Sequence, residues 1–186
     1  MRKIAIFASG SGSNAENIIR YFSDKDCADV VLVLSNKANS LVLNRAHKYS
    51  IPTFVFTRDD FKCDGKVIRI LKEYNASMII LAGFLLKIPE KLVKLYPKAI
   101  VNIHPALLPK YGGKGMYGMY VHRAVVDNQE KESGITIHYV NEDYDEGEFI
   151  FQAKCPISSS DSPVEVQRKV KELEALHFPI IIESIL

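Results

Sequence analysis

Cysteine is scarce in this chain and never paired. Cys27, Cys63 and Cys155 are widely spaced, odd in number and form no C-x-x-C. That spacing excludes a disulfide framework and a zinc knuckle, and it points to a reducing compartment. Long apolar runs are missing too. The first run, Ile4 to Ala8, is too short for a signal peptide, and no later stretch reaches the roughly 18 apolar residues of a membrane span. A cytosolic protein off the membrane is expected. Charge of one sign is also lacking: 24 Lys and Arg stand against 22 Asp and Glu, a net +2. No basic stripe marks a nucleic-acid partner, and the run from Lys87 to Lys98 reads as a solvated helix face.

What is present fits one soluble domain. Its 186 residues are 47% apolar and 25% charged, enough to bury a sizeable core. The first half alternates β-branched runs with amphipathic stretches. Strands are predicted at Ile4–Ala8, Val30–Leu34, Thr53–Phe56, Met78–Leu81 and Ala99–Ile103. Helices are predicted at Asn14–Phe22, Leu41–Tyr49, Asp60–Tyr74 and Pro89–Leu95. This order implies parallel strands with helices on both faces. The second half breaks the rhythm. A Pro- and Gly-rich loop spans His104–Tyr120, and a helix is predicted at Val121–Asp127. Gly134–Val140 and Phe149–Ile157 read as an antiparallel hairpin around a short acidic turn. Ser162-Pro163-x-Glu165 starts a last helix, with Val166, Val170, Leu173 and Ile180 as its apolar stripe. The fold class is α/β: a Rossmann-like, mostly parallel open sheet with helices on both faces, a C-terminal antiparallel hairpin and a terminal helix.

Ser9-Gly10-Ser11-Gly12-Ser13-Asn14 lies between the first strand and first helix. In an open parallel sheet, ligands bind beyond the carboxyl ends of the strands. A glycine turn there brings backbone N–H groups close to a phosphate, and the helix N-terminus adds about half a positive charge. Gly10-x-Gly12-x-x-Ala15 matches a relaxed dinucleotide fingerprint, but the acid expected some 20 residues on is missing; Ser35-Asn36-Lys37 stands there. No G-x-x-x-x-G-K-[ST] occurs. A small phosphate monoester fits better than a dinucleotide or ATP.

The fifth strand ends Val101-Asn102-Ile103-His104-Pro105. Strand alternation puts Asn102 and His104 on one face, at the carboxyl end of the sheet. Pro105 and Pro109 stiffen the exit. An amide beside an imidazole can stabilise an oxyanion while the histidine moves a proton. Asp145 lies in Asn141-Glu142-Asp143-Tyr144-Asp145-Glu146-Gly147, which on residue types alone reads as a solvated turn. His47, His122, His138 and His177 fall at no ligand spacing and read as structural or surface, so no metal is expected.

Together, the serine-glycine loop, Ala82-Gly83-Phe84, Asn102-Ile103-His104-Pro105-Ala106-Leu107-Leu108-Pro109 and Asp145-Glu146-Gly147 resemble the phosphoribosylglycinamide formyltransferases, folate-dependent enzymes of purine synthesis. The resemblance covers nearly the whole chain. The Asn-x-His-Pro motif is shared with methionyl-tRNA formyltransferases, formyltetrahydrofolate hydrolases and sugar N-formyltransferases; the serine-glycine loop narrows the acceptor to a phosphorylated amine. The implied reaction moves a formyl group from 10-formyltetrahydrofolate to glycinamide ribonucleotide (GAR), without metal. A hydrolase or another formyltransferase is the alternative, and a nucleotide-sensing module the rival from another class. The tRNA enzymes and the hydrolases would bring a further domain, which is not expected here.

Carried over residue by residue, the resemblance makes Asn102, His104 and Asp145 the catalytic trio. Gly12, Ser13 and Asn14 would hold the ribonucleotide phosphate, and Glu174 would bind the ribonucleotide. Leu85, Leu86, Lys87 and Ile88 would line the folate pocket with Asn102 and the turn at 141–145, and Lys62 would be its basic contact. One domain over 1–186 is implied, with a phosphate-binding half at 1–100 and a catalytic and folate-binding half at 101–186. Asp145 would raise the pKa of His104, which would act protonated. Met-Arg-Ile is common after Gly-Phe in the family, and this chain has Leu85-Leu86-Lys87-Ile88. The glycine-rich loop from Tyr111 to Tyr120 is a candidate lid. A monomer or homodimer acting on small molecules is expected.

Overall fold

The computed structural model describes residues 1–62 and 65–186, with the Lys62 side chain outside the description. The strands are β1 (Arg2–Phe7), β2 (Ala28–Ser35), β3 (Thr53–Val55), β4 (Met78–Leu81), β5 (Ile100–His104), β6 (Glu132–Tyr139) and β7 (Phe149–Pro156). The helices are α1 (Ser13–Phe22), α2 (Leu41–Lys48), α3 (Arg58–Lys62), α4 (Lys66–Glu73), α5 (Glu90–Leu95), α6 (Met119–Asp127) and α7 (Pro163–Ser184). The strands form one sheet in the order β3-β2-β1-β4-β5-β6-β7. The first five run parallel, and β6 and β7 are antiparallel. Strand order reverses on either side of β1, because β2 lies on one flank and β4 on the other. A crevice opens at such a reversal, beyond the carboxyl ends of the strands. The loops after β1, β4 and β5 all emerge there.

β1 shows why the sheet is two-sided. Ile4 and Ile6 pack into one core layer, with Ile18, Phe22, Val42, Val170 and Phe178. Ala5 and Phe7 pack into the other, with Leu32, Leu71, Ile79 and Leu92. Both sets are fully buried, so no alternation of polarity survives in the sequence. In the second layer Phe7, Phe56, Phe61 and Phe84 form an aromatic cluster, with centroids 5.1 to 6.0 Å apart. α1 buries Ala15, Ile18, Ile19 and Phe22, the i, i+3, i+4, i+7 face of a helix.

Several elements differ from the sequence reading, β1, β2 and β6 by starting two residues early. The helix predicted over Asp60–Tyr74 is two helices, α3 and α4. Thr57 and Asp60 cap α3 reciprocally, and Gly65, in an extended conformation, starts α4. Cys63 lies outside the described residues. The last helix has the predicted capping box: Ser162 Oγ accepts from Glu165 N, and Glu165 Oε2 from Ser162 N. Its apolar stripe does not reach Ile180, which is 46% exposed while Phe178 and Ile182 are buried. Pro179 sits inside the helix there, and the buried face turns past Ile180. α6 starts two residues earlier than predicted, after Gly118. Among the described residues no helix is long and apolar enough to cross a membrane.

Gly12 is required by both backbone and packing. It caps α1 with φ 78°, and a Cβ there would stand 2.6 Å from the Val42 backbone. An open position two residues earlier, Gly10, meets nothing within 4 Å. Gly12→Ala is expected to cost about 1–3 kcal/mol in urea unfolding. Gly10→Ala is expected to stay within about 0.5 kcal/mol. Equal effects would contradict this account of the turn.

His122, on α6, is buried, and its Nδ1 has no hydrogen-bond partner. Burial, then the charges of Lys171 and His104, pull its pKa from 6.5 to about 4. The folded state therefore resists a proton that the unfolded chain accepts. At or above pH 6.5 this costs nothing; as pH falls toward 4 it removes roughly 3 kcal/mol of stability. Unfolding free energies measured from pH 7 to 4 are expected to fall less steeply in His122→Leu. Parallel pH slopes in the two chains would refute the assignment.

Candidate active site

Asn102 and His104 project from the end of β5, and their cross-strand partners on β6 are His138 and Thr136. Thr136 is a fully used buried hydroxyl. It donates to Ala106 O at 2.7 Å and accepts from Leu108 N at 3.0 Å and Gln152 Nε2 at 2.8 Å. Gln152 also donates to Leu108 O at 3.0 Å. These bonds pin the segment after His104 to β6 and β7, which explains why the Asn-Ile-His-Pro stretch leaves the strand in one fixed direction.

Asp145 arrives from the turn between β6 and β7. Its backbone is left-handed, φ 57°, a conformation aspartate tolerates better than most residues. Gly147 lets the turn lie on the strand end, where any Cβ would collide with the Tyr139 carbonyl. The carboxylate faces four groups. Gly113 N donates to Oδ2 at 2.9 Å, and His104 Nδ1 lies 3.5 Å from the same oxygen. Asn102 Nδ2 and His138 Nε2 lie 3.5 and 3.7 Å from Oδ1. Burial works to raise the pKa of Asp145, but the imidazoles of His138 and His104 and the Gly113 N–H outweigh it, and the net direction is down. The Gly113 N–H donates whatever the histidines do, so the carboxylate stays ionised.

The hydrogen bonds assign both histidine tautomers. A carbonyl only accepts, so His138 Nδ1, 2.9 Å from Tyr139 O, carries a proton. Its Nε2 is then bare and accepts from Asn102 Nδ2 at 3.1 Å, which orients the Asn102 amide. In the same way His104 Nε2–H donates to Tyr111 O at 2.7 Å. His104 Nδ1 is left facing Asp145. Burial lowers the His104 pKa, and Asp145 recovers only part of the loss. The expectation that Asp145 raises the pKa of this histidine holds in direction, but the protonated imidazole expected from it does not follow. The charge acts in the expected direction, but desolvation is the larger effect, and His104 is neutral at neutral pH.

The glycine loop and Glu174, 160 residues apart, come together: Asn14 Nδ2 donates to Glu174 Oε2 at 3.0 Å. Burial raises the Glu174 pKa. Ser13 opens α1 beside Gly12. The loop is braced from outside, by Ser40 Oγ on Gly10 O at 2.7 Å and Arg45 Nε on Ser11 O at 2.9 Å. Ser9 Oγ donates to Asn36 Oδ1 and accepts from Leu85 N, tying this loop to the one after β4. In that second loop Leu85 and Lys87 are exposed, whereas Leu86 and Ile88 pack into the core layer beneath. Lys87 Nζ reaches Asp143 at 3.8 Å and lies over the Tyr144 ring, so segments 85–88 and 141–145 face each other. The Lys62 side chain lies outside the described residues.

Two residues at this site escaped the sequence reading. His138 is 2% exposed and belongs to the Asn102 network, not to the surface. Lys171 lies one helical turn before Glu174, and its charge acts on Glu174 and His122. The i, i+3 spacing from Lys171 to Glu174 was the available signal. Among the described residues no group of three or more His, Cys, Asp or Glu is placed to hold a metal ion.

The "Formyl transferase" family model matches residues 2–182. Phosphoribosylglycinamide formyltransferase of Haemophilus influenzae is 36% identical over 98% of this chain and 86% of its own length. The chloroplastic protein of that name from Arabidopsis thaliana is 40% identical over 91% of this chain. The chain spans about 60% of the length of the plant relatives it matches. A crystal structure of glycinamide ribonucleotide transformylase 1 from Geobacillus kaustophilus superimposes with a TM-score of 0.90 at 31% identity, over 100% of this chain and 99% of that one. The match thus runs through the glycine loop, the end of β5 and the Asp145 turn alike, and the chain belongs to the formyl transferase family.

Proposed function

We propose that this chain transfers the formyl group of 10-formyltetrahydrofolate to the amine of 5-phosphoribosylglycinamide, releasing formyl-GAR and tetrahydrofolate, as a step of purine (IMP) synthesis. The observation that carries this reading is the convergence of Asn102 and His104 on the part-buried Asp145 carboxylate. The Asn14–Glu174 pair beside the glycine loop supports a phosphorylated ribose as the acceptor's handle. Gly12, Ser13 and Asn14 take the phosphate, Lys171 adds charge to it, and Glu174 takes the ribose. Residues 1–100 form the phosphate-binding half, and residues 101–186 the catalytic and folate-binding half. The folate enters between segments 85–88 and 141–145, with Lys62 as a basic contact. The setting is cytoplasmic and the protein a monomer or homodimer, with small-molecule partners and no nucleic acid.

The chemistry follows from the tautomers. The amine nitrogen forms a bond to the formyl carbon, and the carbonyl π pair moves to oxygen. Asn102 N–H groups donate to that oxyanion, a contribution on the order of 10²–10³ in rate. Neutral His104 accepts the proton that the amine sheds, and Asp145 balances the imidazolium. The tetrahedral intermediate then collapses: the carbonyl re-forms, the carbon–N10 bond breaks, and N10 takes the proton back from His104. Such proton transfer contributes roughly 10²–10⁴.

Folate absorbance, followed with and without GAR, tests the reaction. Turnover that requires GAR is expected; turnover without any amine would point to a hydrolase, and none at all to a sensing module. Asn102→Ala and His104→Ala are each expected to lower kcat by about 10²-fold or more. Near-normal turnover in both would sink the assignment. Because the base must be neutral, kcat/KM is expected to fall on acidification along a limb lying below 6.5, the ordinary histidine value. In Asp145→Asn that limb moves lower still, since the raising charge is gone. A limb above 6.5 in the unaltered enzyme would contradict a neutral His104.

The ribonucleotide site makes a separate prediction. Asn14→Ala and Glu174→Gln are expected to raise KM for GAR about tenfold, the loss of roughly 1.4 kcal/mol of binding, with kcat and the folate KM little changed. A collapse of kcat at constant KM would assign the loop another role.

A further inference from the structure

Tyr111 is held in a costly conformation next to His104. Its φ is 57°, in the left-handed region that strains a residue with a Cβ. Its carbonyl accepts from His104 Nε2 at 2.7 Å. Its hydroxyl donates to Glu130 Oε1 at 2.9 Å, and Lys110 Nζ reaches the same oxygen at 2.8 Å. Glu130 stands in the turn between α6 and β6, where its own N–H is bonded to Val125 O. One carboxylate thus grips two consecutive residues, and the second presents its carbonyl to the imidazole. Tyr111 also lines a cavity of about 290 Å³, together with Pro109, Lys110, Val125, Glu130 and Gln152.

We propose that Glu130 is a positioning residue for His104, acting through the Tyr111 carbonyl to hold the imidazole as the Nε2–H tautomer with Nδ1 free to accept a proton. The proposal rests on the reading of His104 as the proton acceptor. A neutral imidazole has one N–H and one lone pair, and the acceptor opposite Nε2 decides which nitrogen has which. Nδ1 already faces a carboxylate across 3.5 Å. If the Tyr111 carbonyl withdraws, the favoured tautomer places the hydrogen on Nδ1, toward Asp145, and the lone pair moves to the wrong nitrogen. Lys110 and Tyr111 hold the Glu130 carboxyl below the usual carboxylate range, so it is ionised throughout the working pH range.

The test compares Glu130→Ala, Glu130→Gln and Tyr111→Phe with the unaltered full chain. Steady-state kinetics, the pH profile of kcat/KM and ¹⁵N-histidine NMR of the His104 tautomer are read together. In Glu130→Ala and Tyr111→Phe, kcat is expected to fall about tenfold or more, the scale of a misplaced reacting group, with KM for both substrates within about twofold. The ¹⁵N shifts of His104 are expected to change from Nε2–H toward Nδ1–H. Glu130→Gln keeps an acceptor for the tyrosine hydroxyl and is expected to recover most of the rate. If Glu130→Ala does not fold, Tyr111→Phe, which removes a single oxygen, decides alone. Unchanged kcat and an unchanged tautomer would overturn the proposal, as would a lost rate with the tautomer intact. His104→Ala separates the two ideas. If it abolishes turnover while the Glu130 and Tyr111 variants are normal, only the positioning role fails; if it retains turnover, the reading beneath it fails.

Discussion

A carboxylate taken out of water must be repaid in hydrogen bonds or it takes up a proton. The Asp145 side chain is 12% exposed, and everything around it answers that demand. Its two oxygens divide the work. Oδ2 takes the Gly113 N–H and faces His104, while Oδ1 faces Asn102 and His138. The four partners come from three pieces of chain: the end of β5, the end of β6 and the glycine-rich loop. The buried charge therefore makes those pieces mutually dependent. Were the turn at 141–147 to shift, the Gly113 N–H and the Asn102 amide would lose their shared acceptor together. The left-handed backbone of Asp145 and the close seating of Gly147 are the local costs of that arrangement.

The parallel sheet supplies the other half of the arrangement by topology alone. Reversal of strand order at β1 opens a crevice, and the loop after β1 has to lie at its edge. Gly12 lets α1 approach α2 there, and α7 returns across the same face to set Glu174 against Asn14. That contact spans 160 residues of sequence and is carried by one hydrogen bond. It joins the first helix to the last beside the glycine loop.

Much of this was legible before any coordinates. Alternation along Val101–His104 placed Asn102 and His104 on one face, and the glycine loop announced itself by position and composition. The Ser162–Glu165 capping box was read correctly as a helix start. Asp145 was not legible from residue types, because five of seven residues around it look like solvated turn; only the family resemblance singled it out. His138 was passed over although Thr136-Ile137-His138 alternates cleanly. What was lacking was register: nothing local says that His138 sits opposite Asn102 across two antiparallel strands. Leu86 and Ile88 illustrate the converse. A contiguous four-residue segment reads as one lining surface, but the chain turns two of those side chains inward. The break between α3 and α4 escaped because helical spacing persists on both sides of Gly65.

The direction of the His104 pKa could not be read from sequence for a different reason. Pairing with an acid is a local fact, visible once Asp145 is assigned, and it predicts a protonated imidazole. Burial is a property of the whole fold. His104 is 4% exposed because the segment after β5 is bound down through Thr136 and the loop beyond it is folded over the ring. The Tyr111 carbonyl and the Gly113 N–H that close the site are backbone groups, common to every residue and invisible to any motif. They place an acceptor on one side of the imidazole and a donor on the carboxylate beyond it. The Tyr111 carbonyl and the Asp145 charge both favour a charged ring, and burial of the imidazole outweighs them, so a neutral ring stands beside an ionised acid.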